Sequence, residues 1–159
     1  MNDCPINLFH VQAGDGAVAK ARRQIAALVN ELGLPLSGHA VADAQLCTSE
    51  IITNALIHAG GECWVQVEWT GNHLKVEVTD RSLRLPVVLT PDYEKGSGRG
   101  LALVDSLAYS WGWEPRELGK TVHFLIAADA SLTGDERLGA LVRRTREKAT
   151  PPAGAVAAA

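Results

Sequence analysis

The sequence predicts an α+β fold with helices lying on one face of an antiparallel sheet, and three observations predict it. Residues 64–69 and 74–79 alternate apolar and polar positions and are joined through Gly71-Asn72, the pattern of a hairpin with one face on a core and one face wet. Residues 17–32 and 41–58 instead repeat their apolar positions with a helical period, and the second segment has an apolar face wide enough to lie on a sheet. At 159 residues, with 47% hydrophobic and 21% charged residues, the chain fits one globular domain that can support its own core.

Residues 6–11 open the fold as a strand, with Ile6, Leu8 and His10 alternating against Asn7, Phe9 and Val11. The helix over 17–32 places Val18, Ala21, Ile25, Leu28 and Leu32 on one side and stops at Gly33, with Pro35 beyond. Its basic outer residues Lys20, Arg22 and Arg23 read as a solvated face.

The next helix collects Val41, Ala44, Thr48, Ile51, Ile52, Ala55 and Ala59 on its packing side and ends at Gly60-Gly61. Glu50, Asn54 and His58, four residues apart, form a stripe on the other side, to which Asp43 and Cys47 are added. Leu46 and Ile57 border that stripe, so it reads as the wall of a pocket, against the plainer alternative of a solvated face with a capping histidine.

Residues 80–98, with Pro86, Pro91 and a closing Gly-Ser-Gly, predict a long loop with at most a short extended piece. A helix follows from Arg99 through Leu101, Leu103, Val104 and Leu107, closed by Trp111-Gly112-Trp113, and residues 121–126 form a last strand. Residues 5–128 make up the single domain. The extension 129–159 is expected to hold a basic helix over 136–148 and a disordered end over 151–159.

A formal net charge of -3 gives no electrostatic reason to expect nucleic acid or an anionic membrane as the ligand. Cys4, Cys47 and Cys63 are odd in number, contain no C-x-x-C pair, and read as reduced structural thiols. The N-terminus lacks the basic and apolar segments of a secretory signal, and no stretch approaches the roughly 18 apolar residues of a membrane span. A cytoplasmic location is therefore expected.

Two further segments carry chemistry. Asp80 stands at the end of the second hairpin strand, where a carboxylate can accept hydrogen bonds from a ligand or bond its own turn. Gly96-Ser97-Gly98-Arg99-Gly100-Leu101 runs into a helix, so its backbone can approach phosphate oxygens closely, or serve as a hinge and cap. It is neither a dinucleotide fingerprint nor a Walker A loop: Leu101 stands where the former needs glycine, and no Gly-Lys-Ser/Thr follows.

In order, these segments resemble the boxes of the Bergerat-fold (GHKL) ATPases, which include histidine-kinase catalytic domains and the ATPase of DNA gyrase, and within them the anti-sigma-factor serine kinases. The first box is Glu50-x-x-x-Asn54-x-x-x-His58, the second Asp80-x-Ser82 with Pro86, and the third Gly98-Arg99-Gly100-Leu101-x-Leu103-Val104. Gly119-Lys120-Thr121 before the last strand fits as well, and the likeness covers about residues 14–127. It implies a two-layer α/β sandwich whose mixed, mostly antiparallel sheet is covered by helices on one face.

The resemblance also implies ATP and Mg²⁺ as cofactors. Asn54 would be the metal ligand and Glu50 the catalytic base, with Asn54, His58, Asp80, Ser82, Gly96, Gly98, Arg99, Gly100, Leu101 and Thr121 lining the nucleotide site. Asp80 would accept from the adenine amino group with Thr121 in support, and 96–100 would close over the triphosphate, Arg99 neutralising charge. The implied partners are a sigma factor and a small antagonist protein, with a homodimer expected from relatives. An ATP-gated binding module without phosphoryl transfer and an ATP hydrolase remain as alternatives.

Overall fold

The computed structural model describes residues 7–89, 99–133 and 156–158. Its elements follow in the order β1 (Asn7–Gln12), α1 (Ala17–Glu31), α2 (Gly38–His58), β2 (Glu62–Trp69), β3 (His73–Asp80), β4 (Val87–Leu89), α3 (Arg99–Leu107), β5 (Ser110–Arg116), β6 (Gly119–Ala127), α4 (Ala130–Thr133) and β7 (Val156–Ala158). Five strands form one sheet in the order β1-β2-β3-β6-β5. Every neighbouring pair in it is antiparallel, so the α+β expectation holds and the sheet is purely antiparallel rather than mixed.

The local chemistry explains the helix ends. Gly33 takes the left-handed conformation at φ 58, which lets the Leu34 N–H reach the Val29 carbonyl and the Gly33 N–H reach the Asn30 carbonyl. This paired closure satisfies carbonyls that α1 would otherwise leave open. Ser37 caps α2, its hydroxyl accepting from the Ala40 N–H at 3.1 Å.

Ala44, Cys47, Thr48, Ile51, Ile52 and Ala55 of α2 are buried against the sheet. There they join the core with Val65, Val76, Val78 and Phe124, all at most 1% exposed. Each large apolar side chain removed from water in this way contributes about 1.5–3 kcal/mol. Thr48 is tolerated because its hydroxyl donates to the Ala44 carbonyl at 2.7 Å.

Three expectations need correction. Cys47 belongs to the buried face of α2 rather than to the polar stripe, because it stands three residues from Ala44 and four from Ile51. Trp111-Gly112-Trp113 does not close a helix but lies within β5, where Trp111 pairs with Phe124 and Trp113 with Val122. β5 is an edge strand, so Pro115 is accommodated without a ladder donor on its outer side. Residues 156–158, expected to be disordered, form β7 and pair in parallel with β4, the short extended piece of the long loop. The basic helix expected over 136–148 lies outside the described residues. Among the described residues, no helix is long and apolar enough to cross a membrane.

Candidate functional site

The packing of α2 on the sheet leaves its opposite side available, and there Glu50 and Asn54 stand half-buried one turn apart. The first turn of α3 comes down onto them. A Cβ placed on Gly100 would stand 2.8 Å from Glu50 Oε2 and 3.6 Å from Asn54 Nδ2. The first and third sequence boxes, some fifty positions apart, therefore meet with backbone pressed against a carboxylate and an amide. Any side chain at 100 would fill that space. The start of α3 also brings first-turn backbone N–H groups that have no partner within their own helix, the feature of a helix start that attracts anionic oxygens.

Asp80 ends β3 on the sheet face that α2 covers, since it continues the alternation of Leu74, Val76 and Val78. It is 3% exposed. Its carboxylate accepts the Ser82 N–H at 2.7 Å and both oxygens accept from Lys120 Nζ at 2.9 Å. Lys120 lies directly across the ladder from Asp80. Gly119 precedes it because a Cβ there would collide with the Asp80 carbonyl oxygen.

The other expected site residues fall into distinct places. Ser82 is buried in the Asp80 turn, its hydroxyl accepting from the Arg84 N–H at 3.1 Å. Leu101 belongs to the core, 8% exposed, so it anchors α3 and offers a ligand only its backbone. His58 is exposed in the last turn of α2, beyond the Glu50–Asn54 contact with Gly100. Arg99 is the first residue of α3. Gly96 and Gly98 lie outside the described residues.

Thr121 is a correction. It pairs with Thr79 on the sheet face opposite Asp80, where its hydroxyl bonds Thr79 Oγ1 at 2.8 Å and accepts from Arg116 Nε at 2.9 Å. Side chains alternate along a strand, so the residue beside Asp80 is Lys120. Lys120 is the functional candidate that the sequence reading missed. The signal was present: Val122, Phe124 and Ile126 face the core, and Lys120 continues that parity.

Around the Asp80 turn, Arg81 is already engaged, its guanidinium 5.3 Å from the Trp64 ring centroid and 3.6 Å from Glu62 Oε1. Cys63 is fully buried beneath it, its thiol pushed up to about 12 by burial and then by the charges of Asp80 and Glu62. A concavity of about 570 Å³ lies elsewhere, between the end of α1, the start of α2 and Leu132. It is lined mostly by apolar residues and includes none of the expected site residues. Among the described residues no group of three or more His, Cys, Asp or Glu side chains could hold a metal ion. Asn54 carries an amide oxygen, the donor class of a hard cation that keeps most of its water and takes few protein ligands.

Residues 11–126 match the model of a family described as the histidine kinase-like ATPase domain. Among solved structures, the crystal structure of the RsbU and RsbW domains of Rv1364c from Mycobacterium tuberculosis is similar in fold, with a TM-score of 0.58 and 20% sequence identity. That likeness covers 78% of this chain and 32% of that one. No curated protein matches the sequence.

Proposed function

The chain belongs to the histidine kinase-like ATPase family, and we propose that it is an ATP-binding regulatory protein of the anti-sigma type, a kinase for a serine on a small antagonist protein that also sequesters a sigma factor. The observation that carries this reading is the approach of Gly100 to Glu50 and Asn54, which brings the start of a helix, a carboxylate and a side-chain amide to one spot. Phosphoryl transfer is mostly a matter of positioning and charge stabilisation, which such a spot supplies.

Asn54 would hold Mg²⁺ through its amide oxygen, and the ion, when bound, neutralises phosphate charge. The N-terminus of α3 with Gly100 would cradle the phosphates, and Gly96, Gly98 and Arg99 would close over them. Glu50 takes the proton of the serine hydroxyl as its oxygen bonds the γ-phosphorus, while the bond from that phosphorus to the β-phosphate oxygen breaks and ADP departs. Asp80 and the neighbouring Ser82 turn form the base side of the site.

Incubation of the protein with labelled ATP, Mg²⁺ and candidate antagonist proteins tests this reading. Transfer of label to a serine, abolished by Glu50→Ala with ATP affinity retained, is the expected result. Undiminished transfer by Glu50→Ala removes Glu50 from its role. Tight ATP binding with no transfer to any antagonist overturns the kinase and leaves the ATP-gated binding module.

A further inference from the structure

Asp105 stands in the last turn of α3, where helix formation gives no reason for it. A carboxylate there faces the negative end of the helix dipole, and aspartate is a poor former of helix interiors. The residue is exposed, so core packing does not explain it either. What it has is a partner on the sheet: Trp111 Nε1 donates to Asp105 Oδ1 at 2.8 Å.

The two ends of that bond differ in rigidity. Trp111 is 3% exposed and pairs with Phe124 of the interior strand β6, and the Tyr109 N–H before it donates to the Leu125 carbonyl at 2.8 Å. α3 has 9 residues, below the roughly 12–15 that an isolated helix needs to persist, so its placement comes from what it rests on. Leu101 and Val104 enter the core and set its depth. Apolar packing is non-directional and fixes the slide and roll of a helix less sharply than a hydrogen bond does.

Gly100 lies about 7.5 Å away along the same helix axis, where it meets Glu50 and Asn54. We propose that Asp105 is a positioning residue for the phosphate end of the nucleotide site: by accepting from Trp111 it pins α3 to the sheet and so holds the start of the helix over Glu50 and Asn54. The proposal rests on the nucleotide-binding reading above. Asp105 touches neither nucleotide nor metal and acts through the helix. The base end, built on β3 and β6 around Asp80, does not depend on the pin. Loss of Asp105 therefore separates the two ends, weakening contacts to the outer phosphates and sparing those to the purine.

Calorimetric titration of the full chain with ATP and with AMP, each with Mg²⁺, tests the proposal, because AMP keeps the purine and lacks the two outer phosphates. Asp105→Ala is expected to weaken ATP by at least about tenfold, the worth of one hydrogen bond to a charged oxygen, and AMP by less than about twofold. Asp105→Asn keeps an acceptor oxygen for the indole and is expected to bind ATP within about threefold of the unmodified protein. Ser106→Ala removes a hydroxyl that bonds the Leu103 carbonyl of the same helix, and as the control is expected to change neither nucleotide. Unchanged ATP affinity in Asp105→Ala overturns the proposal, and so does an equal loss for both nucleotides, which a general loosening of the fold would give. An Asp105→Asn protein as weak as Asp105→Ala overturns it as well. Should AMP bind too weakly to measure, the Asp105→Asn comparison decides. Should Asp105→Ala fail to fold, Trp111→Phe, which removes the donor and keeps an aromatic ring, takes its place. Failure of ATP to bind the unmodified protein sinks the nucleotide reading together with this one, whereas tight ATP binding that is indifferent to Asp105 sinks this one alone.

Discussion

Gly100 on α3 and Glu50 on α2 are packed so closely that a methyl group on the first would stand 2.8 Å from a carboxylate oxygen of the second. The contact is between backbone and the flexible end of a side chain, so a substitution displaces the carboxylate before it disturbs the helices. Gly100→Ala is expected to lower phosphoryl transfer by about 10–100-fold, the range lost when a reacting group is moved by about 1 Å. Stability is expected to change by less than about 1 kcal/mol, since the clash falls on a side-chain tip. Single-turnover transfer and denaturant unfolding of the same preparation check both parts.

The Asp80–Lys120 pair makes a different prediction, because both groups are buried. Asp80→Asn leaves an ammonium without its counter-charge in a nearly closed place, and is expected to destabilise the fold by about 3–5 kcal/mol. Lys120→Met alone leaves Asp80 with the Ser82 N–H as its remaining partner. The double variant Asp80→Asn/Lys120→Met is expected to recover part of the loss, with a coupling of about 1–3 kcal/mol. Urea unfolding of the four proteins measures it, and additive losses would show that the pair is not a pair energetically.

Cys47 and Cys63 are both fully buried and free. Burial, followed by the nearby charge of Asp43, raises the Cys47 thiol to about 12 even though a backbone hydrogen bond opposes it, and Cys63 is raised to about 12 as described. The thiolate is the reactive form. In a Cys4→Ser background, both thiols should therefore resist alkylation at pH 8 in native buffer and react together once denaturant is added. Mass spectrometry of the labelled protein reads the result. Rapid native labelling at either position would contradict the burial.

Two histidines set an acid sensitivity. His73 is 8% exposed, its Nε2 has no hydrogen-bond partner and its ring lies 4.3 Å from that of Tyr109, and burial lowers its pKa. His123 is lowered mainly by burial and then by Lys75, against the opposing pull of Glu77 and Glu114. Both stay neutral in the folded chain where the unfolded chain takes up protons. Their contribution is therefore complete above the unfolded value near 6.5 and is lost as pH falls below it, by some fraction of the roughly 1.4 kcal/mol per pH unit that one proton commands. Denaturation midpoints measured from about pH 7.5 to 5.5 should fall with pH, and His73→Phe should flatten the slope.

Where a residue's surroundings repeat with a single period, the fold was legible. The alternating hairpin of β2 and β3 and the two long helices follow from periodicity, and each is found within two or three residues of its expected ends. β5 was hidden because Trp111-Gly112-Trp113 carries two large side chains around a glycine, which suits a helix terminus as well as an edge strand. β7 was hidden because Val-Ala-Ala has no pattern of its own and becomes a strand through pairing with β4.

At the site, the meeting of the first and third boxes was foreseeable from their order, but which residue faces Asp80 was not decided by order at all. It depends on ladder parity, and counting back two at a time from Phe124 reaches Lys120 and skips Thr121. Cys47 escapes the stripe for a similar reason: a step of three from Glu50 and a step of four from Asp43 both reach it, but so do steps of three from Ala44 and four from Ile51, which lead into the core.

The five-stranded order makes β2, β3 and β6 interior, each hydrogen-bonded along both edges, while among the described residues β1 and β5 have one bonded edge each. Asp80 and Lys120 thus sit at the end of an interior ladder, flanked by a bonded strand on either side. Amide deuteration should advance from the rim strands inward, so a docking protein that loosens either rim can remodel the periphery while the carboxylate and ammonium on the two interior strands keep their alignment.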